Sequence, residues 1–143
     1  LFQACAKTGV SVSYVTPQGY EPDSKITTGA MENAKRYGAK ISRCKTPEEA
    51  VRGAQVIYTD VWTSMGQESE REERLKAFQG FQINRKLLKK AKPGCLFMHC
   101  LPAHRGEEVT DDVIEGPSSI VFDQAENRLH VQKALLILLL NSS

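Results

Sequence analysis

An apolar run that ends in a thiol and a proline decides the fold of this chain: Phe97-Met98-His99-Cys100-Leu101-Pro102. Such a run is typical of a buried strand, and parallel α/β sheets hold their ligands at the carboxyl ends of strands. A second run upstream ends in a carboxylate, a hydroxyl and a glycine turn: Val56-Ile57-Tyr58-Thr59-Asp60-Val61-Trp62-Thr63-Ser64-Met65-Gly66. Two polar strand ends at one sheet edge predict a single site.

Helical and strand-like patterns alternate along the chain, which predicts an α/β fold with a doubly wound, Rossmann-like parallel sheet and helices on both faces. The predicted strands are 10–15, 40–43, 56–59, 95–99 and 119–122. The predicted helices are 1–8, 24–37, 46–53, 68–78, 84–91, 110–114 and 126–140. A sheet of this kind ordinarily begins with its central strand, whereas this chain begins with a helical pattern. We therefore expect the first strand to be lacking from the sequence.

Composition narrows the range of functions. The chain has 143 residues, of which 41% are apolar, as expected for one ordinary domain. Its 19 basic and 17 acidic residues are interspersed rather than gathered into a basic stripe, so nucleic acid is not an expected partner. The leucine-rich segment 134–140 is far shorter than the ~20 residues that span a bilayer. It predicts the end of a docking helix and no membrane association.

The four cysteines show no metal-binding or disulfide pattern. Cys5, Cys44, Cys95 and Cys100 include no Cys-x-x-Cys pair and have no His-x3-His nearby. This spacing indicates neither a zinc site nor a dense disulfide framework. A reducing, cytoplasmic location fits best.

The first strand end offers a carboxylate and a turn. Asp60 either accepts a hydrogen bond from a substrate ammonium or caps the turn that follows it. The turn at Ser64, Met65 and Gly66 can present backbone N–H groups to a carboxylate, while Ser64 adds a hydroxyl. The charged segment 68–78 that follows is most simply a solvated helix face, with Glu70 and Arg74 at i,i+4 spacing.

The second strand end offers the thiol. Cys100 is either a small core residue or a polarizable thiol that faces a ligand. Pro102 ends the strand and favours the second interpretation, because it leaves Cys100 and Leu101 at the rim of the sheet. His99 alternates with Cys100 and should face the other way, as a hydrogen-bonded structural histidine.

Two further groups of polar residues are weaker candidates. A loop after the strand carries charged side chains that we expect to be solvent-exposed: His104, Arg105, Glu107 and Glu108. Arg128 follows Asn127 near the predicted start of the terminal helix at 126. An arginine there can bind a phosphate, because helix N-termini favour anions.

Taken together, these motifs resemble those of the ornithine carbamoyltransferase family. The resemblance rests on two signatures, 60–68 (Asp-Val-Trp-Thr-Ser-Met-Gly-Gln-Glu) and 99–102 (His-Cys-Leu-Pro). Three further segments, 20–22, 77–82 and 125–128, resemble the family in the expected order, so nearly the whole chain is covered. Related transcarbamylases for aspartate or putrescine are not expected to carry Ser-Met-Gly and His-Cys-Leu-Pro together.

The resemblance implies an activity and a set of residue roles. The reaction transfers a carbamoyl group from carbamoyl phosphate to the side-chain amine of L-ornithine, giving L-citrulline and phosphate in arginine biosynthesis or a urea-cycle-type step. No metal or organic cofactor is implied, and the parent enzyme is expected to be a homotrimer. Asp60 and Ser64 would hold the α-amino end of ornithine, and the Met65 backbone its carboxylate. Cys100 and the Leu101 carbonyl would lie beside the reacting groups. Arg128 would bind carbamoyl phosphate.

The resemblance is to only one half of such an enzyme. Residues 1–143 resemble the C-terminal, ornithine-binding domain without its first strand, and the carbamoyl-phosphate domain has no counterpart in the sequence. The chain alone is therefore expected to be inactive, because the cationic groups that stabilise the leaving phosphate are largely missing. Two alternatives stay open: a non-catalytic amino-acid-binding module, and a pseudoenzyme subunit that joins a mixed oligomer.

Overall fold

Seven α-helices and four short strands make up the described part of the chain, which comprises residues 1–64, 66 and 68–141 of the computed structural model. The strands are β1 Val12–Tyr14, β2 Ile41–Arg43, β3 Val56–Thr59 and β4 Leu96–His99. The helices are α1 Phe2–Lys7, α2 Ser24–Arg36, α3 Pro47–Val51, α4 Arg71–Ala77, α5 Arg85–Leu88, α6 Asp111–Ile114 and α7 Val121–Leu140. A 3₁₀ turn at Glu68–Glu70 leads into α4.

The sheet is parallel, as predicted, and it consists of two separate pairs. Strand β1 pairs with β2, and β3 pairs with β4. Among the described strands, β1 and β3 therefore each have a neighbour on one side only. The α/β class is confirmed.

Local hydrogen bonds explain where several helices begin. The Thr46 hydroxyl accepts from the Glu49 N–H at 3.2 Å, and the Glu49 carboxylate accepts from the Lys45 N–H at 2.8 Å. With Pro47 in the first turn, this is the capping arrangement predicted for α3. The Asn84 side chain accepts from the Leu87 N–H at 3.0 Å and begins α5 in the same way.

The predicted strand at 119–122 is wrong. Ser119 forms a single parallel bridge with Phe97, and α7 begins at Val121, five residues before the predicted helix start at 126. The Ile120 N–H donates to the Phe97 carbonyl at 3.0 Å, while the Ile120 carbonyl already accepts from the Gln124 N–H at 2.9 Å. Periodicity cannot separate so short an apolar run from the buried start of a helix.

Two hydrophobic clusters form the core, one around each strand pair. The smaller cluster contains Ala6, Ala30, Ala34 and Ile41, from α1, α2 and β2. The larger one surrounds Phe97 of β4 and gathers side chains from β3, from the helices α3, α5, α6 and α7 and from the connecting loops: Val51, Ile57, Ile83, Leu87, Cys95, Val109, Val113, Ile114 and Val121. This larger cluster packs against β3 and β4, whose ends carry the candidate residues.

The terminal helix α7 is anchored at its first residue. Val121 is its one buried residue, whereas the apolar side chains along the rest of the helix are exposed, including Leu129, Val131, Leu135, Leu136, Ile137, Leu138, Leu139 and Leu140. None of the helices in the described residues is long and apolar enough to cross a membrane.

The larger core should depend strongly on Phe97. This side chain is 0% exposed at the centre of the cluster, whereas its neighbour Leu96 on the same strand is 38% exposed. We expect Phe97→Ala to lower the free energy of unfolding by about 3–5 kcal/mol and Leu96→Ala by less than about 1 kcal/mol. Urea denaturation followed by circular dichroism measures both, and equal losses for the two variants would contradict this assignment of the core.

Candidate functional site

The two predicted strand ends meet. The register of β3 and β4 pairs Thr59 with His99, so the next residue on each strand, Asp60 or Cys100, emerges at the same edge. The Cys100 thiol donates a hydrogen bond to Asp60 Oδ1, with 2.9 Å between sulfur and oxygen. The convergence expected from the strand patterns is therefore confirmed.

The Cys100 thiol is held in its protonated form. Burial raises the pKa of this thiol, and the hydrogen bond and negative charge of Asp60 raise it further, while the Tyr58 hydroxyl acts in the opposite direction. A thiol with a raised pKa carries little thiolate at neutral pH and is therefore a poor nucleophile. The geometry thus suits hydrogen bonding and packing against a ligand rather than covalent chemistry.

Tyr58 is a member of this site that the sequence interpretation missed. It lies two residues before Asp60 on β3, and alternate residues of a strand share a face. Burial raises the pKa of the Tyr58 phenol, and the hydrogen bond to Cys100 and the charges of Cys100 and Asp60 raise it further. The strand periodicity contained the signal, because a residue two positions from a candidate carboxylate faces the same way.

The structure shows Asp60 in the capping role, and its role toward a substrate ammonium stays a prediction. Its Oδ1 atom accepts from the Val61 N–H at 2.8 Å, as a turn cap would, and from the Cys100 thiol. Because both hydrogen bonds use Oδ1, Oδ2 is the oxygen that a ligand ammonium can approach within the described residues. Asp60 itself is exposed, so such a ligand can reach it from solvent.

His99 faces away from the thiol, as predicted, and is 1% exposed. Its Nδ1 accepts from the Leu101 N–H at 2.8 Å, and its Nε2 lies 3.1 Å from a carboxylate oxygen of Glu108. Because Nδ1 is an acceptor, the ring proton resides on Nε2 and is donated to Glu108. The ring is therefore a neutral structural bridge between the strand end and a buried acid.

The turn after Cys100 has an unusual backbone. Leu101 has a φ of +53°, in the left-handed region that residues with a side chain rarely adopt. The hydrogen bond from its N–H to the His99 ring helps to hold this conformation. The turn directs the chain away from the sheet, so Cys100 and the half-buried Leu101 remain at the rim as expected.

The expectation that Glu108 is solvent-exposed is wrong, because this residue is 0% exposed. The Ile83 N–H donates to the Glu108 carbonyl at 2.8 Å, and this pairing draws the end of the loop into the larger core. The carboxylate is compensated by the His99 ring and by the His104 N–H, which donates to it at 2.6 Å. His104 and Arg105 are exposed, as expected.

An aromatic cluster holds the loop after β3. Trp62 is buried and stacks on Phe78, which follows α4, with 5.6 Å between the ring centroids. Arg74 of α4 donates to the Trp62 carbonyl at 3.2 Å and lies over the Tyr20 ring at 5.2 Å. The prediction of a simple solvated face on this helix is therefore wrong at Arg74, although its ion pair with Glu70 is present. Ser64 of this loop is exposed, and Met65 lies outside the described residues.

Arg128 does not stand where the anion-binding argument needs it. Helix α7 begins at Val121, so Arg128 lies about two turns into the helix and not at its N-terminus. Its side chain is exposed. Gln124, one turn earlier on the same face, accepts from the His99 N–H at 3.1 Å, which directs that helix face toward the end of β4.

The fold and this site define a carbamoyltransferase domain. The family described as "Aspartate/ornithine carbamoyltransferase, Asp/Orn binding domain" matches residues 1–139, and the chain belongs to this family. The chain is similar in sequence to proteins named ornithine carbamoyltransferase. The ornithine carbamoyltransferase of Thermococcus kodakarensis is 58% identical to it over 140 residues, which are 98% of this chain and 44% of the relative.

Solved structures agree with this assignment. The ornithine carbamoyltransferase of Pyrococcus furiosus superposes with a TM-score of 0.88 at 59% identity, covering 93% of this chain and 42% of that one. The anabolic enzyme of Campylobacter jejuni gives a TM-score of 0.92 at 40% identity, covering 97% of this chain and 46% of that one. The chain thus spans less than half the length of the relatives that it matches.

Asp60 should control the reactivity of the thiol. Replacing it by the isosteric Asp60→Asn removes the negative charge that raises the pKa of Cys100, so more thiolate should form. We expect alkylation of Cys100 by iodoacetamide at pH 8 to become faster, by up to about tenfold if the pKa falls by one unit. Mass spectrometry of the tryptic peptides measures the rate at each cysteine separately.

The matched control is Asp112→Asn, which makes the same chemical change at an exposed residue of α6. Its Cys100 alkylation rate should equal that of the unchanged chain. An Asp60→Asn variant that retains its circular dichroism spectrum and shows an unchanged rate at Cys100 would refute the pairing.

Proposed function

We propose that this chain supplies the ornithine-binding half of an ornithine carbamoyltransferase. The carbamoyl group would pass from carbamoyl phosphate to the side-chain amine of L-ornithine, giving L-citrulline and phosphate. The observation that carries the proposal is the 2.9 Å contact between Cys100 and Asp60 at the carboxyl edge of a parallel strand pair. It occurs in a chain 58% identical to a protein of that name.

In this proposal the polar groups of the two strand ends bind different parts of the substrates. Asp60 and Ser64 bind the α-amino end of ornithine, and the Met65 backbone binds its carboxylate. Cys100 and the Leu101 carbonyl lie beside the attacking amine and the carbamoyl group. Arg128 binds carbamoyl phosphate from the face of α7 that also carries Gln124.

The chemistry requires positioning more than covalent catalysis. The amine nitrogen attacks the carbamoyl carbon, the bond from that carbon to the phosphate oxygen breaks, and the proton that the amine loses passes to the departing phosphate. The Asp60 carboxylate supplies a fixed charge, and the protonated thiol held against it packs beside the neutral amine without competing as a nucleophile. The proposed steps use no metal ion or organic cofactor.

The proposal assigns residues 1–143 to the C-terminal domain of a longer enzyme. The carbamoyl-phosphate domain, and a central strand between β1 and β3, would come from the rest of that protein. The open sides of β1 and β3, and the exposed apolar side chains of α7, support this assignment. The complete enzyme is proposed to be a homotrimer, and the chain alone is proposed to be inactive.

The metabolic setting follows from the relatives. The Pyrococcus furiosus relative is named as the anabolic enzyme and is 58% identical, which supports a role in arginine biosynthesis. All four cysteines are free, which supports a reducing compartment such as the cytoplasm.

A chimeric enzyme tests the activity directly. The matching 140 residues of the Thermococcus kodakarensis enzyme are replaced by this chain, and citrulline formation is measured. We expect activity from the chimera and none from the isolated chain. Within the chimera, Asp60→Asn should lower kcat/KM at least about 100-fold, because the charge that holds the α-ammonium of ornithine, and so positions its side-chain amine, is lost. Asp112→Asn should leave kcat/KM within about twofold, as expected for an exposed residue away from the site.

Two outcomes would contradict the proposal. A folded chimera that forms no citrulline would show that these strand ends do not complete the enzyme. Full activity in the Asp60→Asn chimera would remove Asp60 from the site.

Ornithine affinity separates the enzyme half from a stand-alone amino-acid-binding module. Because the strand expected between β1 and β3 would contribute part of the ornithine site, we expect titration calorimetry of the isolated chain with L-ornithine to show no saturable binding up to millimolar concentration. Saturable binding that disappears in Asp60→Asn would favour the binding module instead.

A further inference from the structure

We propose that His104, Glu107 and Glu108 form a binding site for a divalent transition-metal ion, on the loop between β4 and α6. This acidic loop site is distinct from the thiol and carboxylate pair of Cys100 and Asp60. Zinc is the reference ion for the arguments that follow. The proposal of this metal site does not depend on the proposed carbamoyl transfer.

The three side chains have the spacing of a metal site before any ion is bound. One ligand atom from each lies within 4.8 Å of the others, and His104 Nδ1 is 3.7 Å from Glu107 Oε2. Two ligands on a tetrahedral zinc ion at about 2.1 Å lie roughly 3.4 Å apart. Three atoms 4.8 Å apart have a common centre about 2.8 Å from each, so a shift of about 0.7 Å per ligand closes the site.

Two buried carboxylate oxygens of this cluster accept no hydrogen bond within the described residues. Oε2 of Glu107 and Oε2 of Glu108 are buried and have no hydrogen-bond partner, and the whole Glu108 side chain is 0% exposed. A buried carboxylate oxygen without a donor is costly, so nearly all such atoms in folded proteins are satisfied. A cation between them would supply the missing positive partner, with His104 as the third ligand.

The other oxygen of each carboxylate is already held, as the outer shell of a metal site requires. Arg71 forms an ion pair with Glu107 Oε1. The His99 ring and the His104 N–H both donate to Glu108 Oε1. Such partners orient metal ligands and commonly change metal affinity by about 10–100-fold.

The loop that carries the ligands is held in place by hydrogen bonds to its backbone. The Gln82 side chain donates to the carbonyls of Gly106 at 2.8 Å and Glu107 at 3.0 Å. The Gly106 N–H donates to the Val109 carbonyl at 2.8 Å. The His104 side chain is 45% exposed, so an ion can enter from solvent on that side.

The ligand types select the class of ion. One imidazole and two carboxylates suit Zn²⁺ or Mn²⁺, whereas Ca²⁺ prefers six to eight oxygen ligands and Cu⁺ prefers sulfur. Two carboxylates with Arg71 beside one of them leave a net charge of about −1, which attracts a cation. The thiol of Cys100 belongs to a different cluster. Zinc bound at the thiol would therefore be lost in Cys100→Ser and not in His104→Ala.

The test is calorimetric titration of the metal-free, full 143-residue chain with ZnCl₂. We expect one saturable site, and we expect His104→Ala and Glu107→Gln each to weaken its Kd at least tenfold. Asp112→Asn, which removes an exposed acid from the adjacent helix α6, should leave the Kd unchanged. In NMR spectra, the His104 ring resonances should shift on addition of zinc. His104 is exposed, so His104→Ala is expected to fold even if Glu107→Gln does not.

Three results would overturn the proposal. The first is no saturable zinc binding at millimolar concentration. The second is an unchanged Kd in His104→Ala. The third is a site that persists in His104→Ala and is lost in Cys100→Ser, which would place the ion at the thiol. An unchanged Kd in Cys100→Ser together with a weakened one in His104→Ala would place the ion at the acidic loop.

Discussion

The parallel ladder between β3 and β4 is the constraint on which the rest of the site depends. A register that pairs Thr59 with His99 sends the next residues of both strands to one edge, where a carboxylate meets a thiol. A slip of one residue would turn every side chain of one strand to the opposite face of the sheet. Phe97 is fully buried between the strand pair and the start of α7, and its packing stabilises this register.

The sequence predicted the parts of the structure in which chemistry is local. Helix caps at Thr46 and Asn84 depend on a side chain three residues from its partner, so they could be predicted from spacing alone. The orientation of His99 followed from strand alternation in the same way. The convergence of Asp60 and Cys100 needed one further assumption, that consecutive parallel strands lie side by side.

Other features depended on contacts between distant segments and could not be predicted. Glu108 is buried because Ile83 pairs with the loop end from elsewhere in the chain, and nothing in the local charge pattern indicates that pairing. Arg74 is largely removed from solvent by the Tyr20 ring and by a hydrogen bond to the Trp62 carbonyl, which lie on two other segments. The start of α7 was misplaced because three apolar residues, 120–122, suit a strand and a buried helix turn equally, which in turn placed Arg128 too near a helix N-terminus.

The imidazole of His99 has a mechanical consequence for the whole strand end. One rigid plane contacts the Leu101 amide on one side and the Glu108 carboxylate on the other, so neither neighbour can relax without displacing the ring. Perturbations at the thiol rim and in the acidic loop are therefore not independent. In a double-mutant cycle across the ring their energies should fail to add, and the size of that coupling measures how tightly the two regions move together.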